Sequence, residues 1–202
     1  MTSSGARALL LLLFKSSNQR ATSTIPSVLS SFGHCQNYKS TDPKDDQHWT
    51  DAVVCEVKGE QDLNDLDAQR IQKAVEAEFH GENIFIGPMT YSIDCVKDTS
   101  NNPDTDIFFA IAFSLKERLD QFPDDWFKAT PYMASCNGFK HATVYKVLGD
   151  QPMYPFVNIA IWASLESWKQ AIATEESKEA HAHQNHVGRT PFIGQLFQGT
   201  SK

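Results

Sequence analysis

The stretch FVNIAIW, residues 156–162, has almost no polar face. In a strand, Val157, Ile159 and Ile161 point one way and Phe156, Asn158, Ala160 and Trp162 the other. A half-wet antiparallel strand alternates apolar with polar residues. Here only Asn158 is polar, so whatever fold this chain adopts must cover both faces of the strand. The chain then turns directly into a helix. Ser164 has the side chain of an N-cap, and Leu165, Trp168, Ala171 and Ile172 fall on one face of a helix from Leu165 to about His181. An aromatic at such a junction is first of all core, because burying it is worth a few kcal/mol. Asn158 is different: a buried amide without a partner costs about 1–3 kcal/mol, so it must find one in the protein or in a ligand.

The segments around this junction follow a recognisable order. IFFAIAFSL (107–115) reads as a strand. FPDDWFKATPYMASC (122–136) reads as a helix, with Pro123 near N1, Asp124 and Asp125 in the first turn, Pro131 as a kink or split, and Asn137-Gly138 as the stop. FKHATVYKVLG (139–149) and FVNIAIW follow as strands joined through a hairpin, then the helix after Ser164, then PFIGQLFQG (191–199) as a closing strand. The order is β-α-β-β-α-β, the ferredoxin-like α+β plan. Before it, residues 42–105 suggest a β-α-β extension. AVVCEV (52–57) is a strand. DLDAQRIQKAVEAEF (65–79) is an amphipathic helix ending before Gly81. NIFIGPMTYSIDCV (83–96) is a strand broken or bulged at Gly87-Pro88. No internal repeat is evident in the residues.

Composition sets the boundaries. The chain has 202 residues and a formal net charge of -7, which excludes a general nucleic-acid footprint. No apolar run approaches the roughly 20 residues that span a bilayer. Cys35, Cys55, Cys95 and Cys136 form no CxxC pair, which argues against a zinc site or a dense disulfide framework and suits a reducing compartment. Residues 1–41 contain Arg7, Lys15, Arg20 and Lys39 but no acid, and many Ser and Thr. The first carboxylate is Asp42. That composition predicts a cleaved mitochondrial transit peptide lying outside the fold, with another organelle or secretion, through ALLLLLF, as the alternative.

The stretch GFKHATVYKVLGDQPMYPFVNIAIWASLESWKQAIATEESKEAHAH (138–183) resembles the antibiotic biosynthesis monooxygenase family, over roughly residues 106–200. The resemblance rests on Gly138-Phe139 after the first helix, a hairpin, a strand ending in Trp162, the helical aromatic Trp168, and His181 near the helix end. It implies a dimeric α/β barrel, in which a second copy covers the open face of the sheet, so a homodimer is expected. It also implies either cofactor-free oxygenation of a small aromatic or quinol ligand, or a catalytically silent dimeric binding module. The haem-degrading branch of the family offers a third reading. His181 matches its iron ligand, but Phe113 and Ala171 stand where that branch carries Asn and Trp, which implies haem binding without degradation.

Candidate site residues follow from both lines. Asn158, with His141 and Tyr145 on one face of the preceding strand, forms the candidate catalytic set, able to polarise a phenol and move a proton if that face lines a cavity. Trp162, Trp168 and Phe113 are the candidate substrate-binding aromatics. His181 is the candidate cofactor ligand. His181, His183 and His186 form HxHxxH at a helix end, where polar and cationic residues are ordinary, and no metal is expected from them. No Ser-His-Asp order, phosphate loop or dinucleotide fingerprint is present.

Overall fold

The computed structural model of the chain describes residues 9–14, 33–41, 49–57, 83–115, 117, 119–148, 153–184 and 187–196, together with helical positions 69, 70, 73, 74 and 77. Eight strands are described: β1 (Leu9–Phe14), β2 (Gly33–Ser40), β3 (Asp51–Val57), β4 (Asn83–Val96), β5 (Ile107–Ser114), β6 (Phe139–Val147), β7 (Phe156–Trp162) and β8 (Gly188–Leu196). They close into one antiparallel barrel in the order β1-β3-β2-β8-β5-β7-β6-β4, with β4 pairing back onto β1.

This order contains the same motif twice. The second half reads β8-β5-β7-β6 across the sheet and the first half β4-β1-β3-β2, so in each half the outer strands are the fourth and the second in chain order. Both halves are therefore ferredoxin-like α+β sheets. They join where β2 meets β8, with Tyr38 opposite Leu196 and Ser40 opposite Gly194, and where β4 meets β6, with Met89 opposite Val147 and Val96 opposite His141. A structural repeat is thus present that the residues do not announce.

This arrangement bears on two expectations. The partner sheet that β7 requires is supplied by the chain's own first half, so the reason for expecting a homodimer falls away: no second copy is needed to cover the strand. Residues 1–41 are also not outside the fold, because β1 and β2 both lie within that segment. Leu9, Leu11 and Leu13 pack into the barrel interior with Ala52, Val54, Phe108, Ala110, Val157 and Ile159. Leu10 and Leu12 are completely buried as well. Each such leucine is worth about 1.5–3 kcal/mol relative to leaving it exposed. Removal of residues 1–41 on import into an organelle would take two strands from the closed sheet. Within the segment 42–105, β3 and β4 complete the first half of the barrel.

The interior is fastened across the two halves by ring stacking. Tyr38 of β2 lies 4.0 Å from Phe108 of β5, with the planes 20° apart. Burial, reinforced by Glu56, pushes the Tyr38 phenol up to about 12. On the outer face of the first sheet, Cys35 and Cys55 occupy directly paired positions of β2 and β3 and are joined by a disulfide. That bond departs from the expectation of a fully reduced chain, since disulfides persist where the surroundings are oxidising.

Outside the second sheet lie four short helices: α1 (Phe122–Phe127), α2 (Thr130–Ser135), α3 (Leu165–Ile172) and α4 (Glu175–Ala180). Pro123 and Pro131 each occupy the first turn of a helix, so Pro131 splits the expected helix in two, where its ring fits an N-terminus and no interior. The helix after Ser164 also divides. Ser164 caps α3 by accepting from Ser167 N, and Thr174 caps α4 by accepting from Ser177 N, both at 3.1 Å. Gly138 has φ +80°, and a Cβ there would overlap the Ser167 side chain, so only glycine allows the chain to pass between α2 and β6 against α3. Pro88 sits at the register shift between β1 and β4, as a proline inside a sheet requires. Among the described residues no helix is long and apolar enough to cross a membrane.

Deleting residues 1–41 is expected to abolish cooperative unfolding, because two adjoining strands of the barrel go and β3, β4 and β8 lose the four ladders made to them. Thermal denaturation followed by far- and near-UV circular dichroism checks this: a truncated chain melting as sharply as the full one would mean the barrel closes without β1 and β2.

Candidate active site

The two faces of the second sheet divide the candidate residues. On the face toward the barrel interior lie Phe108, Ala110, Ala112, Val157 and Ile159. On the face toward the helices lie Phe109, Phe113, Phe139, Phe156, Ala160 and Trp162, and on this side a cavity of about 600 Å³ opens between sheet and helices. Its walls are apolar, chiefly Phe109, Phe113, Trp126, Met133, Phe139 and Trp168. Polar groups reach it at a few points: Thr130, Asn158, Ser177, Lys178, His181, Gln184 and Arg189. Apolar walls with few polar groups are the usual make-up of a small-molecule site.

Asn158 is the polar member that the sheet contributes. Strand alternation forces it to the helix side between Phe156 and Ala160, and it is only 6 % exposed. Its Oδ1 has no hydrogen-bond partner among the described residues. An unpaired buried amide oxygen is a standing cost, and a ligand group in the cavity would relieve it. His181 lies at the C-cap of α4 and lines the same cavity. Its Nδ1 is 2.8 Å from the Ser177 carbonyl oxygen. A carbonyl can only accept, so Nδ1 carries the hydrogen of the neutral ring and Nε2 is the basic nitrogen. Trp168 projects from α3 onto Phe109, with ring centroids 5.1 Å apart, and lines the cavity together with Phe113.

Three candidates fall elsewhere. Trp162 is fully buried, packed edge-on against Phe139 at 5.3 Å, and is core rather than cavity wall. His141, Thr143 and Tyr145 do share one face of β6, but it is the face opposite the cavity. Tyr145 packs against the barrel interior, and Thr143 donates to Asp94 Oδ1 at 3.0 Å. The set Asn158, His141 and Tyr145 is therefore split by the sheet itself, and only Asn158 remains at the cavity. Ala171 is buried against the second-half core. His183 is exposed on a short 3₁₀ turn, and His186 lies outside the described residues.

The sequence reading missed Arg189, Gln184, Thr130 and Ser177. Thr130 and Ser177 sit in first turns created by the helix breaks. Gln184 ends the short 3₁₀ turn after α4, and Arg189 is the second residue of β8, which starts at Gly188, three residues before the expected Pro191. The Arg189 guanidinium donates from Nη2 to the Gln184 main-chain oxygen at 3.2 Å and to Gln184 Oε1 at 3.4 Å. Burial lowers its pKa from the ordinary value. Lys178 also borders the cavity, but its ammonium pairs with Glu175 at 2.6 Å.

No protein-family model matches the sequence, and no curated protein is similar to it. Its fold, however, is shared with solved structures over nearly the whole chain. An anthrone oxidase-like protein superposes with a TM-score of 0.61 at 12% identity, covering 97% of this chain and 93% of its own. A ferredoxin-fold protein of Listeria monocytogenes related to antibiotic biosynthesis monooxygenases superposes with a TM-score of 0.52 at 12% identity, covering 96% of each chain. A major regulator of staphylococcal pathogenesis does so with a TM-score of 0.51 at 12% identity, covering 95% of this chain and 98% of its own. The likeness therefore extends beyond residues 106–200 to both halves of the barrel.

Two outcomes are expected from these surroundings. Replacing Asn158 with Leu, close to it in shape, should leave stability unchanged or raise it by about 1–2 kcal/mol, since an unpaired buried amide is removed; urea unfolding measures this, and a clear loss would mean the amide has a structural partner. The second concerns His141, whose pKa burial lowers against the opposing pull of Asp94, Asp106 and Asp98. The unfolded chain then binds the proton more readily than the folded one. Stability is expected to fall as pH drops below about 6.5, and His141→Gln should flatten that part of the curve. Equal slopes for both proteins between pH 7 and 5 would contradict it.

Proposed function

We propose that this chain is a member of the antibiotic biosynthesis monooxygenase group, an oxygenase that takes a phenol, quinol or anthrone-like aromatic into the cavity and lets it react with dioxygen without a bound organic cofactor. The observation that carries this reading is Asn158, a buried amide with an unpartnered oxygen at the wall of an otherwise apolar cavity. An amide offers both a donor and an acceptor, and a phenolic substrate needs both in turn: an acceptor for its O–H and a donor for the oxyanion formed when the proton leaves. His181, basic at Nε2, is the group able to take that proton. The resulting carbanion-like ring is electron-rich enough to reduce dioxygen directly. Conversion of an anthrone CH₂ to a carbonyl consumes one O₂ and releases one water, so no external reductant is required. The apolar rings around the cavity exclude water and stack on the substrate.

A second reading, a binding module without chemistry, is supported by the regulator that shares the fold. It keeps the cavity and the ligand but no turnover. Haem is a narrower variant of it. His181 would supply one imidazole through Nε2 and the aromatic walls a flat apolar slot, and bound haem would supply redox chemistry of its own. Phe113 and Ala171 offer no polar group with which to direct that chemistry onto the ring.

Oxygen uptake with anthrone, followed by electrode and by product absorbance, separates the readings. The wild-type protein is expected to consume one O₂ per product formed, and Asn158→Ala to lower kcat by about a hundredfold, the scale for losing one donor to a developing oxyanion. Ligand binding without oxygen uptake above the spontaneous rate would favour the binding module.

A further inference from the structure

At its solvent-exposed rim the cavity carries a cation that pairs with no acid among the described residues. Arg189 stands opposite Phe113 in the β5–β8 register and borders the cavity. The residue that positions it, Gln184, is neutral and 2 % exposed, and Gln184 Nε2 is itself 3.5 Å from the Asp125 carbonyl oxygen. Both contacts to Gln184 use a single guanidinium nitrogen, Nη2. A guanidinium carries five N–H donors in a planar fork, so most of its donors stay available. The ion pairs among the described residues join Lys128 to Asp125, Lys140 to Asp106 and Lys178 to Glu175, and none of them includes Arg189. A cation at the exposed rim of an apolar cavity, oriented by a neutral amide rather than by an acid, is placed for an anion that arrives with the ligand.

The geometry points to an acidic aromatic ligand, whose carboxylate is gripped by Arg189 while its ring system lies among Phe109, Phe113, Trp126 and Trp168 and its reacting oxygen meets Asn158. The assignment of the reacting end rests on the oxygenase reading; the acid end stands on Arg189 and Gln184 alone. Gln184 acts as a positioning residue: by accepting from Nη2 it fixes the plane of the fork without neutralising it. Lys178 is a poor substitute, because its charge is already answered by Glu175. The fork also makes a distinction that a lysine cannot, since two parallel N–H donors match the two oxygens of a carboxylate.

The test uses a matched pair of probes, anthracene-9-carboxylate and anthracene-9-carboxamide, titrated into the full chain and read by quenching of tryptophan fluorescence. The wild type is expected to bind the acid about ten- to a hundredfold more tightly than the amide at low salt, and the preference should shrink as salt is raised. Arg189→Gln should lose the preference while still binding the amide, and Arg189→Lys should keep part of it. Equal affinity of the wild type for both probes, or a preference that survives in Arg189→Gln, overturns the inference. If Arg189→Gln does not fold, as seen by circular dichroism, the wild-type pair and its salt dependence decide the matter alone: a preference that does not respond to salt counts against an ionic contact. The two proposals fail separately. A wild type that prefers the acid but takes up no oxygen with anthrone keeps Arg189's role and loses the oxygenase. One that oxidises anthrone but treats acid and amide alike does the reverse.

Discussion

Closure of the sheet is the constraint on which everything else in this molecule rests. An open four-stranded sheet of the ferredoxin-like kind has helices on one face, and leaves the other face and both edges to be dealt with. Here the second half cannot stand alone, because Val157, Ile159, Phe108 and Ala110 are as apolar as the residues beneath the helices. The first half answers with Leu9, Leu11, Leu13, Ala52 and Val54, and the strands at the two seams pair across them. Closing the barrel removes the unpaired strand edges as well as the wet face. It also fixes which side of each strand meets the helices. A one-residue slip in β7 would carry Asn158 into the barrel interior and Ile159 into the cavity. The position of the candidate active site is thus a consequence of barrel register.

The fold is also the reason the cavity can exist. Its walls are held from behind by the sheet and in front by four short helices, each started by a local device: Pro123, Pro131, Ser164, Thr174. Breaking what would be two long helices into four lets them curve over the sheet rather than lie flat on it. The breaks bring first-turn residues Thr130 and Ser177, and the end residue His181, to the same space. The Asn158 side-chain oxygen is unfavourable without a ligand, being buried and unpaired among the described residues. A fold selected for stability alone would replace it.

Much of the second half was legible because its signals are local. Alternation in Phe156–Trp162, proline at helix starts, the Ser164 cap and Gly138 each act within a few residues, and each appears where expected. Asn158 was visible for the same reason, as the one polar break in an apolar strand. The placement of His141 and Tyr145 was not legible. Their common face followed from alternation, but which face looks at helices depends on the first half, far away in sequence. Arg189 and Gln184 gave no signal at all, because one lies at the very start of a strand and the other in a three-residue 3₁₀ turn, too short a stretch for periodicity to mark either. The repeat was hidden because register and pairing recur while residues do not.

The amino-terminal segment shows how one composition can serve two roles. A transit or signal sequence needs an apolar run, few acids and hydroxyl-rich flanks. A short strand buried on both faces of a barrel needs an apolar run and no charge at all. Over Leu9–Phe14 the two demands coincide, and six residues are too few for periodicity to separate them. Pairing separates them instead. Leu10 stands opposite Cys55 in β3 and Pro88 in β4, and Leu12 opposite Val53 and Phe85, so this one strand carries ladders on both sides. Without it, β3 and β4 would each present a bare edge, and the interior beneath Phe108 and Val157 would lie open to water. The strand that looks most like an appendage therefore joins the two flanks of the first half, and through them sets the register on which the cavity of the second half depends.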